Sequence, residues 1–273
     1  MLFYWDTMVG NNFMAKVSEA VILAAGFGKR LRGITGSVPK YFYKIENLPL
    51  ILYPLSALVR VGVKRIVIVV SEGFLRRAIR ILSKYIKALG NVETLFVSNP
   101  KPEWGNGYSL LLGSEKVMGE KFFVSMADHI YTYRVPLKIV EEAYNACVVV
   151  GSDSKPRFVR VEEATKILAE NGILKSIGKN LNTFTHVDVG VMIFTKEAIS
   201  IVRKSNVRYE ELSVSKAISI VAESNCQVKV VDVLGEYWVD IDTPRDLVEL
   251  LYGDSRPVLD TVLKEMSVHE FSR

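Results

Sequence analysis

Glutamine is almost missing from the chain: Gln227 is the only one in 273 residues. So little of a heat-labile amide leans towards a heat-adapted source, while seven methionines lean the other way. Cysteine occurs twice, at Cys147 and Cys226, far apart and with no second pair. That spacing argues against a disulfide framework and against a four-ligand zinc site, and it fits a reducing cytoplasm. Histidine occurs three times, and neither His129 nor His186 has a partner at metal-site spacing. No apolar run reaches the roughly 18 residues that would suggest a membrane span. The opening "MLFYWDTMVGNNFM" carries an acid and lacks a basic segment followed by an apolar one, so it is a poor signal peptide. Internal repeats and linkers rich in Pro, Gly or Ser are also missing. These absences leave a soluble cytoplasmic protein as the expectation.

The composition is that of a globular chain, 49% hydrophobic and 24% charged, long enough to bury a large core in one domain. Its net charge of +5 is concentrated partly at Arg76, Arg77, Arg80, Lys84 and Lys87. There Leu75, Ile79, Leu82, Ile86 and Leu89 recur at helical spacing, so the basic residues read as the solvated face of a helix. No aromatic residues interleave with them, which argues against nucleic-acid binding; a small anionic substrate explains the charge better. Strand-like runs at 20–25, 65–70, 92–97, 121–126 and 146–150 alternate with helical patterns at 50–61, 75–89, 108–117 and 136–144. That rhythm predicts an α/β fold with a parallel sheet between helical layers. Beyond 150 the pattern changes: "ATKILAENGILKSIG" predicts a β-hairpin about Asn171-Gly172, followed by "THVDVGVMIF", a helix over 210–222 and the strand "CQVKVVDV". The expected units are an N-terminal extension over 1–18, a single domain over 19–253 and a tail over 254–273. Residues 1–13 read as an arm or a misassigned start. In the tail, Val258, Leu259, Val262, Leu263 and Met266 fall on one face of a helix over 258–268.

The stretch "VILAAGFGKRLRGITGSVPKYFYKI" joins an apolar strand to two close glycines and a basic run. A third glycine for the dinucleotide fingerprint is lacking at Leu31, and the Gly-Lys-Ser/Thr of a P-loop is lacking at Gly33-Ile34-Thr35. What remains is L-x-x-G-x-G-x-R-L at Leu23, Gly26, Gly28, Arg30 and Leu31, followed by T-x-x-x-P-K at Thr35, Pro39 and Lys40. This resembles the signature of the nucleotidyltransferases that join a nucleoside triphosphate to a sugar phosphate or similar phosphorylated alcohol. The chemistry suits it. Two anions must meet, and backbone N–H groups, Arg30, Lys40 and a divalent metal can offset their repulsion. A phosphomonoester, largely dianionic at neutral pH, needs no general base.

The resemblance implies a three-layer Rossmann-like nucleotidyltransferase fold with a mixed, mainly parallel sheet and a β-hairpin insertion. It implies Mg²⁺ held by Asp128, in "FFVSMADHIY", and Asp242, in "EYWVDIDTPRDL", with Asp240 behind them; Ala127 stands where many relatives have Gly. The catalytic pair it implies is Arg30 and Lys40. The nucleotide-binding set is Leu23, Ala24, Ala25, Gly26, Gly28, Lys29, Asn99, Gly105, Asn106, Gly107 and Ser109. The stretch "NPKPEWGNGYSLLLG" occupies the place where the family reads the nucleobase; carbonyls near Asn99 or Gly105 would favour cytosine's amino donor.

A finer resemblance rests on "GNGYSLL", "ADHIY", "PRFV…EATKI", "IGKNL", "VDVGV" and "WVDIDT" in that order. Together they are similar to the cytidylyltransferase part of enzymes that activate inositol 1-phosphate with CTP, over about residues 19–252. This implies Lys166, Lys179 and Asp188 around the acceptor; from the residues themselves, His129 reads as flanking the site and Trp238 and Tyr237 as core residues rather than base stackers. In many such proteins the part is fused to a membrane-embedded synthase of di-myo-inositol phosphate phosphate, so a stand-alone enzyme with a separate membrane partner is expected here. Two alternatives stay open. One is the same chemistry with another triphosphate or another acceptor, such as hexose 1-phosphate or phosphocholine. The other is a regulatory subunit that binds sugar nucleotides without turnover; such subunits typically lose the loop Arg, the Lys or a metal Asp, and Arg30, Lys40, Asp128 and Asp242 are all present.

Overall fold

Strands that are apolar on both faces must be covered on both faces, and that requirement organises the chain. The computed structural model describes residues 17–36 and 38–266. The expected arm over 1–13 and the last two positions of the predicted tail helix, 267–268, lie outside the described residues. The first half comprises β1 (Glu19–Ala24), α1 (Arg32–Thr35), β2 (Lys44–Ile45), β3 (Leu48–Pro49), α2 (Leu52–Arg60), β4 (Arg65–Ser71), α3 (Leu75–Ala88) and β5 (Glu93–Asn99). There follow α4 (Asn106–Ser114), β6 (Lys121–Met126), β7 (His129–Tyr131), α5 (Arg134–Glu141) and β8 (Val148–Asp153). The second half adds β9 (Lys166–Glu170), β10 (Ile173–Gly178), β11 (His186–Thr195), α6 (Lys196–Lys204) and α7 (Val214–Glu223). The last elements are β12 (Val228–Asp232), β13 (Trp238–Asp240), α8 (Pro244–Tyr252) and α9 (Arg256–Glu265).

Nine strands form one mixed sheet in the order β5-β4-β1-β6-β11-β8-β12-β10-β9. β1 lies parallel to β4 and β6, β4 to β5, and β12 to β8, whereas β11 runs antiparallel between β6 and β8. Side chains alternate across it. Ala20, Ile22 and Ala24 join one core with Leu52 of α2, Leu82 of α3, Ile139 of α5, Leu250 of α8 and Leu259 of α9. Val21 and Leu23 join the other with Leu110 of α4, Val202 of α6 and Ile218 of α7. These are the two faces of a three-layer fold.

Most expected elements are present with shifted ends. The hairpin of β9 and β10 turns on Asn171 and Gly172, both at positive φ, as its two-residue turn requires. The helix expected over 210–222 begins only at Val214, because Ser213 caps it by accepting from the Lys216 N–H; Glu210 belongs to a separate 3-10 turn. On α3, Ala78, Leu82 and Ile86 are buried, but Ile79 is 43% exposed, so the apolar stripe is narrower than the spacing implied. The tail helix forms as α9, and Val258, Leu259, Val262 and Met266 are buried.

The cysteines correct the expectation drawn from their distance in sequence. Cys147 and Cys226 are joined as a disulfide, with Cα atoms 5.8 Å apart. Each lies at the leading end of one of two parallel neighbours, Val148 pairing Val228, and the Cys147 N–H donates to the Gln227 carbonyl. Register, which spacing alone does not reveal, sets the pair side by side.

Candidate active site

The carboxyl ends of β1, β6, β8 and β12 meet the start of the reversed β11 along one rim of the sheet, where α/β folds gather ligands. After β1 the chain turns at Gly28, which has a φ of +56° and whose backbone passes so near Lys40 that an added Cβ would lie 3.1 Å from the lysine Cβ. The glycine loop and the Pro-Lys pair are therefore neighbours through Gly28. Beside Gly26, by contrast, nothing lies within 4 Å of an added Cβ. Leu23, Ala24 and Ala25 are buried, so their backbone is what they offer to a ligand. The Lys29 ammonium lies 5.7 Å from the Phe27 ring centroid.

Two short strands bring the carboxylates together. β7 pairs antiparallel with β13 so that His129 faces Asp240, and the Ile241 N–H donates to the Asp128 carbonyl at 3.0 Å. Asp242 then precedes Thr243, the N-cap of α8, in a capping box closed by Asp246; the Asp246 carboxylate accepts the N–H groups of Asp242 and Thr243 at 2.9 and 2.6 Å.

Between Asp128 and Asp242 sits the Lys40 ammonium. It donates to Asp128 Oδ2 at 2.6 Å, to Asp242 Oδ1, and to the Ile241 carbonyl at 3.1 Å. Burial opposes its charge, yet the two carboxylates outweigh burial and hold its pKa well above the ordinary lysine value. Asp128 is the mirror case: burial pushes it up, but Lys40 and His129 together hold it far below the usual carboxylate range. Arg30 reaches the same centre, bonding Asp242 Oδ2 with one nitrogen and Glu163 Oε2 with the other at 2.9 Å. An ammonium bridging two carboxylates marks a place where a cation is stabilised. Two carboxylates on a polar rim, with room for phosphate oxygens and water, are a donor set that suits Mg²⁺.

Next to this centre lies a cavity of about 170 Å³, lined among others by Asp128, His129, Lys179, Asp188, Trp238 and Asp240. Asp188 is raised by burial although its carboxylate accepts the Gly190 N–H, and Asp240 is raised to about 6 by burial and by its neighbours Asp242 and Asp128. Lys166 does not line this cavity. Its ammonium lies 5.6 Å from the Phe184 ring centroid, and Thr165 takes the lining position, because side chains alternate along the chain entering β9.

The loop expected to read the nucleobase is braced from behind. Asn99 is fully buried; its amide donates to Ser109 Oγ at 2.9 Å and accepts from the Lys101 N–H at 2.8 Å. Both side chains are thus engaged in the scaffold of the loop. Gly105 and Gly107 lie against Leu212 and Ser213, where added Cβ atoms would come within 2.8 and 2.7 Å of carbonyl oxygens. The Gly107 N–H donates to the Leu212 carbonyl, and Asn106 Oδ1 accepts from the Val214 N–H. These glycines are explained by the close approach of the chain's own backbone.

Sequence reasoning did not find Glu163, Arg160, Asp246 or Gly190. Arg160 bonds Glu163 at 2.6 Å and Asp246 at 3.2 Å, extending the Arg30 contacts into one charged network. The only signal available was the i,i+3 spacing of Arg160 and Glu163, which also describes an ordinary solvated loop. Trp238 is 3% exposed, its indole N–H donating to Asp153 at 2.8 Å, yet it also lines the cavity.

The Nucleotidyl transferase family profile matches residues 19–256. The chain belongs to this family. It is 33% identical over 235 residues to the bifunctional IPC transferase and DIPP synthase of Aquifex aeolicus, covering 85% of this chain and 50% of that protein. The protein of the same description from Archaeoglobus fulgidus is 34% identical over 232 residues, covering 85% and 43%. The structure of the inositol-1-phosphate CTP transferase from T. maritima superposes with a TM-score of 0.82 at 31% identity, covering 93% of this chain and 98% of that one. The chain spans about half the length of the curated relatives it matches. The glycine loop, the Pro-Lys pair and the carboxylates of the rim all lie within the matched residues. Among the described residues, no helix is long and apolar enough to cross a membrane.

Proposed function

We propose that this nucleotidyltransferase moves CMP from CTP to inositol 1-phosphate, giving CDP-inositol and pyrophosphate, with residues 19–253 as the catalytic unit. The observation that carries the reading is the Lys40 ammonium bridging Asp128 and Asp242 beside a cavity that also holds Lys179 and Asp188. The relatives' descriptions supply the substrates.

In this reaction an oxygen of the acceptor phosphate attacks the α-phosphorus of CTP, the bond to the α,β-bridging oxygen breaks, and pyrophosphate leaves with that oxygen. Asp128 and Asp242 would hold Mg²⁺, which when bound supplies positive charge to the phosphates. Backbone N–H groups at Gly26–Gly28 receive the triphosphate, and Arg30 and Lys40 turn from the carboxylates towards it. Lys179 meets the acceptor phosphate, and Asp188 accepts from a ring hydroxyl. The exposed Asn106 faces the base, on a loop that Gly105 and Gly107 let pack against Leu212 and Ser213. The product is an activated alcohol for a later phosphodiester-forming step, towards a compatible solute.

Phosphorus NMR of the protein with CTP, Mg²⁺ and excess inositol 1-phosphate tests this. CDP-inositol and pyrophosphate are expected in equal amounts, with no phosphodiester between two inositols. Consumption of another triphosphate or acceptor in their place would reassign the substrates. Nucleotide binding with no turnover of any pair would favour the regulatory alternative.

A further inference from the structure

Asp128 divides its two oxygens between two partners. Oδ2 faces Lys40, and Oδ1 meets His129 Nδ1 at 2.8 Å. The histidine that makes the second contact is held on every side. It opens β7, where pairing with Asp240 fixes its backbone. Its ring stacks on Trp238 with planes 4° apart and centroids 6.3 Å apart, and Trp238 is itself anchored through its indole N–H to the buried Asp153. Across the ring runs Gly190, at a φ of +73°, where any Cβ would collide with the imidazole carbons and Nε2. The sequence thus gives up a side chain in β11 to make room for this ring. Only 13% of the His129 side chain is exposed.

We propose that His129 is a positioning residue: its Nδ1–H holds Asp128 Oδ1 so that Oδ2 stays turned towards the cation of the site. The proposal rests on the reading of Asp128 as a metal ligand. A carboxylate on a single rotatable χ2 axis can present either oxygen or swing away. One fixed donor on Oδ1 removes that freedom and leaves Oδ2 aimed at the place Lys40 now fills. Groups behind a ligand orient it in this way, and their loss typically weakens metal affinity by about 10- to 100-fold. The alternative role, a ring that merely fills space between Trp238 and Gly190, needs no donor at Nδ1.

The two roles separate on substitution. In His129→Asn the side-chain amide reaches the place of Nδ1 and can still donate; in His129→Gln it reaches the place of Nε2 and cannot. Mn²⁺ alone, titrated against the full chain and followed by electron paramagnetic resonance, gives the affinity, and thermal melting reports the fold. Wild type and His129→Asn are expected to bind Mn²⁺ within about threefold of each other, and His129→Gln about tenfold or more weakly, with both variants melting as cooperatively as wild type. A Gln variant that binds as wild type does, or an Asn variant as weak as the Gln variant, overturns the positioning role. No Mn²⁺ binding by wild type overturns the reading of Asp128 beneath it. Mn²⁺ binding by wild type without turnover of CTP removes the substrate assignment and leaves the positioning role standing.

Discussion

At the scale of single residues, the centre is a set of opposed charges that satisfy each other. Lys40 has three ammonium protons and three acceptors, two of them carboxylates, so it is held without a loose donor. In Asp128→Asn and Asp242→Asn the turnover rate is expected to fall about 100-fold or more, the scale of a lost electrostatic contact to the transition state. The melting temperature should stay close to wild type; a rate within threefold of wild type at saturating Mg²⁺ would remove that residue from the metal site. For Lys40→Ala, kcat should fall far more than KM for the nucleotide rises, since the charge is needed as pyrophosphate departs. Steady-state rates over a range of CTP concentrations separate the two. Glycine signals were legible in sequence, but their reasons were not. Gly28 was read as a phosphate turn and also makes room for Lys40, while Gly107 was read as an approach for the base and in fact admits the Leu212 and Ser213 carbonyls.

At the scale of elements, that contact makes the base loop and the start of α7 one unit. Trp104, Tyr108 and Tyr209 continue it as an aromatic cluster, with ring centroids 4.8 and 6.0 Å apart. Gly107→Ala should therefore cost about 1–3 kcal/mol of stability through overpacking and raise KM for the nucleotide, as denaturant melts and kinetics would show. On the far rim, buried Glu19 ties β1 to β4 through Arg65 and accepts the Met118 and Gly119 N–H groups. Burial pushes its carboxyl up, but these donors outweigh burial and hold it below its usual value of 4.5. The stability it contributes is present in full above pH 4.5 and is lost as pH falls through the lower folded value. Glu19→Gln should lower stability at neutral pH by about 1–3 kcal/mol and flatten the acid limb of an unfolding curve. Where strands run through the core, as in β1, β4 and β6, periodicity gave their positions within a residue or two. Reading failed where tertiary contact decides: at Glu163 and Arg160 on an irregular loop, at β2 and β3 with two paired residues each, and at α6, which no prediction covered.

At the scale of the whole molecule, the disulfide closes a loop between residues 79 apart in sequence, spanning β8, β9, β10, β11, α6 and α7. By chain entropy such a loop contributes at most about 4–5 kcal/mol. Unfolded protein treated with iodoacetamide should take up no label before reduction and two labels after it, and reduction should lower the denaturant midpoint. Both cysteines lie at the opposite end of β8 and β12 from the catalytic rim, so turnover at moderate temperature should survive reduction. The ammonium wedged between Asp128 and Asp242 has a consequence of another kind. Where only a bound metal stands between facing carboxylates, a chelator leaves their repulsion uncompensated. This one brings its own counter-ion on a tether, so soaking in EDTA should silence it without loosening it, and adding back the divalent ion should restore activity at once, with no refolding step in between.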